Sequence, residues 1–414
     1  MHLQERIITL ATPVFFALIG VELLVARLRG RAAYRLNDAI SSIGLGVISQ
    51  VVGVFGKLLS IGIYGWVAAH WAPVALPADS VVVWLAALVA YDFLYYWLHR
   101  AGHEVNLLWA AHVVHHQSEH YNLSTALRQT GSGLLLGWLF YLPMALAGIP
   151  VEVFAVVALV DLLYQFWVHT EQVGRLGWFD RVFCSPSNHR AHHAVNERYL
   201  DRNYGGILIV WDRLFGTFVE EDDADPPVYG TRAPLRSWNP LWANAEVYWA
   251  TAKDMWRARR WRDKALVWLK PPGWRPADVA ARFPRPTFDL HRERFDPPLS
   301  RPLAAYCLAQ FALLLGMATH FLGISATASL PVLLGYAAYL VGSLTLLGLL
   351  MEGRPVRWIE ASRLLASVVL AGSGRWFADA HPDGRVAAAL VLLFAASAAA
   401  LPWLREGPSR AGAR

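Results

Sequence analysis

The chain has 414 residues, of which 56% are hydrophobic and 16% are charged. Soluble domains usually carry about 25% charged residues, so this composition favours an integral membrane protein. The net charge of +6 does not indicate nucleic-acid binding, because the basic residues cluster beside apolar segments, as membrane anchors do. The two cysteines, Cys184 and Cys307, form no disulfide or zinc motif, so a metal site would have to use His, Asp and Glu.

Three apolar segments in the first hundred residues predict membrane-spanning helices. Residues 7–26 are followed at once by four arginines, which predicts an outward N-terminus and a cytoplasmic basic loop. Residues 43–69 return outward, and residues 81–98 come back to the cytoplasmic side. This topology places His99, which directly follows the third span, at the cytoplasmic membrane face.

Two short apolar runs, residues 134–148 and 151–168, are joined by a Gly-Ile-Pro turn. They predict a membrane hairpin whose tip faces outward and whose second limb delivers His169 to the cytoplasmic side. The polar residues 169–300 predict a cytoplasmic cap of helices and irregular loops. A proline-rich linker, residues 271–302, closes this part of the chain.

The last quarter of the chain is again apolar. Residues 303–323 and 331–350 predict two good spans, and residues 359–372 and 386–404 predict two weaker ones. Arginines after residue 404 favour a cytoplasmic C-terminus. A His-Pro-Asp-Gly run at 381–384 is similar to a haem motif of cytochrome b5, but it lacks a partner histidine and is interpreted as a turn.

Histidine clusters carry the chemistry of this sequence. Eight of its 15 histidines fall in three short motifs, and residues three or four apart share one face of a helix. Each motif therefore projects two or three imidazoles in one direction, and a short turn can bring the first two motifs together. His169, at the end of a span, is a ninth candidate. The eight motif histidines are His99, His103, His112, His115, His116, His189, His192 and His193.

Nine imidazoles predict two metal ions, because one ion takes four to six ligands and imidazole suits iron, zinc, copper or nickel. Carboxylates should orient the ligands by accepting their other ring N–H groups, and Asp92, Glu104 and Asp161 are the candidates, with Glu171 in addition. His120, just after the second motif, is left open between a role beside the site and an ordinary surface histidine.

These motifs, in this order, resemble the fatty acid hydroxylase/sterol desaturase superfamily, and the resemblance covers about residues 80–220. It implies an all-α integral membrane protein, a multi-span helical bundle whose cytoplasmic cap holds a histidine-rich di-metal site. It also implies two iron ions that use O2 to hydroxylate a C–H bond of a lipid, with two electrons from an external donor. In such an enzyme the iron carries out the oxidation, and the protein binds and orients the iron and the substrate.

Four stretches, residues 96–106, 109–116, 121–129 and 203–218, resemble more closely the alkylglycerol monooxygenase family within this superfamily. That resemblance implies cleavage of glyceryl ethers and tetrahydrobiopterin as the electron donor. It also implies a role in activity for Glu104, which follows the first motif. His120 replaces the acidic residue usual after the second motif, so no role is transferred there.

The segment after the second motif carries polar residues that either line a headgroup site or cap a helix at Ser124. These residues are Asn122, Ser124, Thr125, Arg128 and Gln129.

The predicted organisation is a set of N-terminal spans (1–80), a catalytic core (81–220), a cap and linker (221–302) and C-terminal spans (303–414). It suits a multi-pass protein of a bacterial inner membrane or an ER-type membrane. A desaturase of the same superfamily is the first alternative. A metal transporter is disfavoured because its ligands should lie at the bilayer midplane, and a scaffold with an incidental zinc site would not need nine histidines.

Overall fold

The computed structural model describes residues 3–374, 376 and 384–404. Among these residues the secondary structure is helical, without a β-strand, which confirms the all-α prediction. The His-Pro-Asp-Gly run, except for Gly384, and the arginines after residue 404 lie outside the described residues. In chain order the helices are α1 (Leu3–Leu28), α2 (Leu36–Trp71), α3 (Val81–Glu104), α4 (Asn106–His116), α5 (Leu123–Ala126), α6 (Leu142–Leu146), α7 (Val151–Trp167), α8 (Phe179–Val182), α9 (Pro186–His193), α10 (Val210–Leu214), α11 (Pro240–Arg257), α12 (Trp261–Leu269), α13 (Ala277–Arg282), α14 (Arg301–Ile324), α15 (Leu330–Met351), α16 (Arg357–Gly372) and α17 (Gly384–Ala400).

Six of the described helices are long and apolar enough to cross a membrane: α1, α2, α3, α14, α15 and α17 with the 3-10 turn that follows it. The predicted multi-pass character of the chain is therefore confirmed. α16 is shorter and carries charged residues, and it packs against α17 and α15 within the C-terminal bundle. Between α7 and α14 lie the short helices and loops of the predicted cap.

The prediction of a two-limbed membrane hairpin was wrong in its first limb. Residues 133–146 fold as two 3-10 turns, Gly133–Leu135 and Gly137–Tyr141, followed by the five-residue α6. Gly133 and Gly137 weaken a continuous helix, and Gly148 (φ +80°) turns the chain where a Cβ would lie 1.8 Å from the carbonyl oxygen of Val74. This segment packs against α2 and α3 as a series of short turns. Of the two predicted limbs, only the second, α7, is a continuous helix.

α2 is shared by two apolar cores. On one side it packs with α14 and α15, where buried Phe321, Tyr336 and Leu340 belong to the larger core. On the other side, Tyr64 of α2 packs in a second core with α3, α6 and α7, in which the rings of Tyr91 and Tyr141 stack at 4.5 Å. The helices from both ends of the chain are thus joined around α2.

A buried carboxylate on α1 binds the loop that follows α7. Glu22 accepts hydrogen bonds from the hydroxyl groups of Thr170 and Tyr34 and from the backbone N–H of Leu123, the last at 2.8 Å. Buried charges of this kind are retained when hydrogen-bonded on all sides. Because Thr170 follows His169 directly, the contact fixes the loop that carries this histidine.

The cap docks on the C-terminal bundle at the end of α15. Glu352 accepts hydrogen bonds from the Ser237 hydroxyl at 2.6 Å and from the Trp238 N–H at 2.7 Å. Gly348 lets the cap backbone approach, because a Cβ there would lie 2.3 Å from the carbonyl oxygen of Trp238.

This close approach predicts the effect of two matched substitutions on α15. Gly348→Ala should destabilise the protein by about 1–3 kcal/mol, the usual cost of overpacking. Gly342→Ala is the control, because a Cβ there meets nothing within 4 Å, and alanine favours a helix over glycine by up to about 1 kcal/mol. Thermal unfolding in detergent measures both. An equal midpoint for the two variants would contradict the docking contact.

Candidate metal centre

The nine predicted histidines converge on one buried site and fall into two groups. Within each group the candidate ligand atoms lie within 4.8 Å of one another. One group contains His99, His103, His112, His116 and His192, and the other contains His115, His169, His189 and His193. The three motifs therefore do not each form a separate site, because the second and third motifs contribute to both groups.

Local structure explains how each motif reaches the centre. His99 and His103 lie one turn apart at the end of α3, and α4 folds back so that His112 contacts Gly102, where a Cβ would lie 3.4 Å from the ring. The third motif lies on α9, which begins with Ser185 as its N-cap and a proline in its first turn. Helix ends and short helices thus present the imidazoles to a common point.

Backbone carbonyls fix the orientation of four imidazoles. The Nδ1–H groups of His99, His115, His169 and His192 donate to the carbonyl oxygens of Tyr204, Arg128, Gln165 and Arg202, at 2.7–2.9 Å. A carbonyl can only accept, so these neutral rings carry their proton on Nδ1 and present a bare Nε2 lone pair inward. This is the arrangement that metal-ligating histidines usually have.

The inward nitrogens are too close together to be explained without a cation. The Nε2 atoms of His115 and His169 lie 3.1 Å apart, yet neither carries a proton when its Nδ1–H is donated to a carbonyl. No hydrogen bond can form between two bare lone pairs, so they would repel each other. Metal–nitrogen bonds of about 2.1 Å place neighbouring ligand atoms about 3.0–3.4 Å apart, and this pair fits that spacing.

The same spacing recurs through both groups. The Nε2 atom of His112 lies 3.0 Å from that of His99 and 3.1 Å from that of His116. In the second group, the Nε2 atom of His189 lies 3.1 Å from that of His169 and 3.2 Å from that of His193. The donor set therefore fits two metal ions, one for each group.

Unsatisfied buried nitrogens point to the same ions. Among the described residues, the Nε2 atoms of His103 and His192 are buried without a hydrogen-bond partner. An unpaired buried polar atom is unusual in a native protein and calls for a ligand or water. Both atoms belong to the first group, so a metal ion there would satisfy them.

The environment keeps these imidazoles neutral. Burial, reinforced by the neighbouring imidazoles, lowers the pKa of His116, His189 and His193 well below the ordinary histidine value. A lowered pKa means that the rings stay unprotonated at neutral pH. Their lone pairs are therefore available for a metal ion, which binds only the neutral imidazole.

The carboxylates lie near the centre but hold other groups. Asp92 accepts hydrogen bonds from the N–H groups of Ile207 and Leu208 and from the Trp211 indole, at 2.6–3.1 Å. Among the described residues, none of the predicted carboxylates accepts a hydrogen bond from the nine imidazoles. Backbone carbonyls accept the N–H groups of four of them instead. Asp161 accepts one from Gln165 at 2.6 Å, while its other oxygen is buried without a described partner.

Glu104 and Glu171 lie farther out. Glu104 is half-exposed and pairs with Arg100 at 2.9 Å. Glu171 accepts a hydrogen bond from the Tyr229 hydroxyl at 3.1 Å. His120 is absent from both groups, and its backbone carbonyl accepts hydrogen bonds from Ser118 and Thr125.

Sequence reasoning missed the loop that positions two of the histidines. Residues 201–205 supply the carbonyls of Arg202 and Tyr204, and Asp201 lies 3.5 Å from Nδ1 of His103. Asp212 holds this loop by accepting the N–H groups of Tyr204 and Gly205 at 2.8 and 2.7 Å. The signal lay in the Asn-Tyr-Gly-Gly run at 203–206, but backbone carbonyls have no residue type of their own.

The segment after α4 is mainly structural. A helix cap is present, but the predicted residue was wrong: Asn122 and not Ser124 is the N-cap of α5, and it forms a capping box with Thr125. Arg128 is buried and donates to the carbonyl of Val114 and to the hydroxyl groups of Ser41 and Ser42. Of the five polar residues considered for a headgroup site, only Gln129 lines the cavity that adjoins the imidazoles.

A cavity of about 610 Å³ adjoins the imidazoles. This volume lies in the range of about 300–1,000 Å³ that is typical of small-molecule sites. Its lining is mostly apolar and comes from α1, α2, α3, α4, α7, α11, α14 and residues 126–137. His99, His112, His115 and His169 form part of its wall, so a molecule in the cavity would contact both groups of imidazoles.

The part of this chain that carries the histidine motifs matches known proteins. A family model described as fatty acid hydroxylase matches residues 84–217, which include all nine histidines. The alkylglycerol monooxygenase of Homo sapiens is 37% identical over 371 residues, covering 87% of this chain and 81% of that protein. The alkylglycerol monooxygenase of Danio rerio is 38% identical over 351 residues, covering 83% and 77%. No solved structure matches the chain.

A narrower likeness links the chain to a bacterial lipid hydroxylase. Ornithine lipid hydroxylase of Rhizobium tropici is 32% identical over 151 residues, covering 36% of this chain and 45% of that protein. The similarity to the vertebrate proteins, by contrast, extends well beyond the histidine core. The chain is an oxygen-dependent membrane oxidoreductase that acts on lipids, and it belongs to the alkylglycerol monooxygenase family.

Proposed function

We propose that the protein is a di-iron monooxygenase that cleaves the ether bond of alkylglycerols to a fatty aldehyde and glycerol. One observation carries the proposal: imidazole Nε2 atoms lie about 3 Å apart within each of two groups, and four of these imidazoles form part of the wall of an apolar cavity. Iron is supported by the all-imidazole donor set, which suits it, and by membership of the family. The substrate is supported by the names of the relatives.

The two ions would be held separately. His99, His103, His112, His116 and His192 would hold one, and His115, His169, His189 and His193 the other. Bound iron supplies the activation of O2, which allows one oxygen atom to enter a C–H bond next to the ether oxygen. The protein's own part is to fix the imidazoles through carbonyls, to keep them neutral and to exclude water.

The products follow from the position of the new hydroxyl. Hydroxylation of the alkyl carbon beside the ether oxygen gives a hemiacetal, which breaks its C–O bond to leave an aldehyde and glycerol. The second oxygen atom leaves as water, which requires two electrons and two protons. We assign the electrons to an external donor, tetrahydrobiopterin, on the strength of the family membership alone.

Two buried carboxylates are proposed to support the centre. A Cβ at Gly206 would lie 2.7 Å from one Asp161 oxygen and 3.0 Å from one Asp92 oxygen, so only glycine fits beside the two acids. Asp161 is connected to His169 through Gln165, whose side chain binds the acid and whose carbonyl accepts the imidazole N–H. Glu104, paired with Arg100, is a candidate for activity on the outer side of the centre.

We also infer that the centre faces the cytoplasm and that the N-terminus of α1 faces outward. The arginine cluster after α1 supports this, because Arg29 donates to the carbonyl of Gln172 at 2.8 Å, three residues beyond His169. Basic loops remain on the cytoplasmic side of membranes. Arg29 thus lies beside the loop that carries His169, so the basic cluster and the imidazoles would share one face of the membrane. The proposal keeps the domain limits of the sequence analysis, 1–80, 81–220, 221–302 and 303–414.

A fatty-acyl hydroxylase or desaturase is the second candidate, because the likeness to ornithine lipid hydroxylase covers the same histidine core. It would use the same centre on a different lipid. A metal transporter fits poorly, since imidazoles fixed by carbonyls hold an ion in place instead of passing it on.

Metal content tests the two groups one at a time. Protein grown with ample iron should contain two metal ions per chain, measured by elemental analysis. His112→Ala with His192→Ala should remove one ion, and His169→Ala with His189→Ala should remove the other, because each pair belongs to a single group.

The matched control removes two histidines from outside the centre. His120→Ala with His291→Ala should retain both ions, because neither side chain belongs to either group. A wild-type ratio of one, or a loss in the control equal to that in the group variants, would contradict the di-metal assignment.

An isotope experiment tests the reaction itself. The iron-loaded enzyme, given 1-O-hexadecylglycerol, tetrahydrobiopterin and ¹⁸O₂, should release labelled hexadecanal, reduced at once with borohydride to hexadecanol so that its oxygen is retained, and unlabelled glycerol. The label enters the aldehyde because the new hydroxyl becomes its carbonyl. A hydroxyl elsewhere on the chain would favour the fatty-acyl hydroxylase, and a label derived from water would refute monooxygenation.

A further inference from the structure

Three hydroxyl groups meet on one wall of the cavity. The Ser132 hydroxyl lies 3.2 Å from that of Thr130 and 3.0 Å from that of Tyr248, and all three residues line the cavity. Each hydroxyl has one donor and two acceptor positions. The cluster can therefore bind further hydroxyl groups without leaving a polar atom unpaired.

The cluster is held rigidly on α11. Asn244 accepts the backbone N–H of Gly131 at 2.9 Å and the Thr130 hydroxyl at 3.4 Å, and its amide donates to the carbonyl of Pro240 at 2.9 Å. Gly131 packs between Asn244 and Ile48 of α2, where a Cβ would lie 3.5 and 3.7 Å from them. A site fixed in advance in this way loses little entropy on binding.

The cluster lies close to the metal centre along the chain. The carbonyl of Arg128 accepts the Nδ1–H of His115, and Thr130 follows two residues later. Since consecutive Cα atoms are about 3.8 Å apart, the Cα atom of Thr130 lies within about 8 Å of that of Arg128. In a glyceryl ether the oxidised carbon is likewise only a few bonds from the glycerol hydroxyls.

Another part of the wall suits an alkyl chain. Phe15 and Phe16 of α1 line the cavity together with Leu315, Ala318 and Leu322 of α14. These side chains offer no hydrogen-bonding groups. The lining thus contains both a hydroxyl cluster and apolar side chains, as a lipid with a polar head requires.

α11 has the features of a helix at the membrane interface. Trp242, Trp249 and Trp256 lie seven residues apart, hence on one face, and are 38%, 56% and 83% exposed. Tryptophans concentrate at headgroup depth in membranes, and Lys253 lies 5.9 Å from the Trp249 ring. Tyr248, next to Trp249, would then lie at the depth of a lipid headgroup.

The chemistry of the lining also indicates the charge of that headgroup. Among the described residues that line the cavity, none is a lysine or an arginine. A phosphate buried without a cation would be costly, whereas an uncharged diol needs only hydroxyl partners. We infer that Thr130, Ser132 and Tyr248 form a diol-binding subsite for the free glycerol end of the substrate. The inference rests on the proposed ether cleavage and extends it to the recognition of the headgroup.

Two lipids and one double variant test the subsite. The holoenzyme is assayed with 1-O-hexadecylglycerol and with the same lipid methylated on both free hydroxyls. Ser132→Ala with Tyr248→Phe should raise KM for the free diol by about 10–100-fold, the loss expected for one or two hydrogen bonds. It should leave kcat for the free diol and KM for the methylated lipid within about twofold.

A matched hydroxyl deletion controls for general damage. Tyr64→Phe removes a hydroxyl that binds the carbonyl of Ile149 outside the cavity lining, so the preference for the free diol should persist. Metal content and thermal midpoint establish that each variant is folded. If the double variant fails to fold, Tyr248→Phe alone should give a smaller rise, of about 3–10-fold.

The outcomes separate this inference from the proposed function. If the wild-type enzyme cleaves both lipids equally well, or if the variants change KM for both lipids equally, the diol subsite is refuted while ether cleavage stands. If the wild-type enzyme cleaves neither lipid, the proposed function fails, and the subsite fails with it.

Discussion

The structure depends on one constraint, the burial of nine imidazoles, several of which bring their Nε2 atoms to within about 3 Å of one another. His115 and His169 carry their protons on Nδ1, so their Nε2 atoms meet at 3.1 Å with nothing but repulsion between them. Two bound cations would convert this repulsion into coordination, and metal binding would then contribute to folding. Because the carbonyls of Arg128 and Tyr204 fix two of the rings, the loops that supply them would be coupled to metal binding.

The histidine core alone does not enclose the cavity. The fatty acid hydroxylase match ends at residue 217, but α1, α2, α11 and α14 also contribute to the wall. α2 joins the two apolar cores, and Glu22 attaches α1 to the loop of His169. The segments outside the family match therefore shape the space in which the lipid would lie, whereas the match contains all the metal-binding side chains.

The sequence could predict the histidines because residue type and helical spacing are local properties. It could not predict the partners of their Nδ1 atoms, since a backbone carbonyl is present in every residue, nor the positive φ of 55° and 57° at Asp201 and Asn203 that aims two of them. Apolar composition also misled for residues 134–148, because it does not report where glycines interrupt a helix. Asn122 was ambiguous, since the same amide can cap a helix or line a pocket.

An all-imidazole shell would leave the charge of bound metal ions uncompensated, and this would give the buried acids a physical role. Asp92 precedes His99 by seven residues on α3, so it lies about 10 Å away along the helix axis. At an effective dielectric constant of about 20, unit charges at that distance attract by roughly 1.7 kcal/mol. Asp161 and Asp92 both lie beside Gly206, and if both acids are charged their mutual repulsion would be costly without a nearby cation. Bound metals and these carboxylates would therefore stabilise each other through space. Among the described residues no carboxylate accepts a hydrogen bond from an imidazole of the two groups, and Asp201 lies 3.5 Å from Nδ1 of His103.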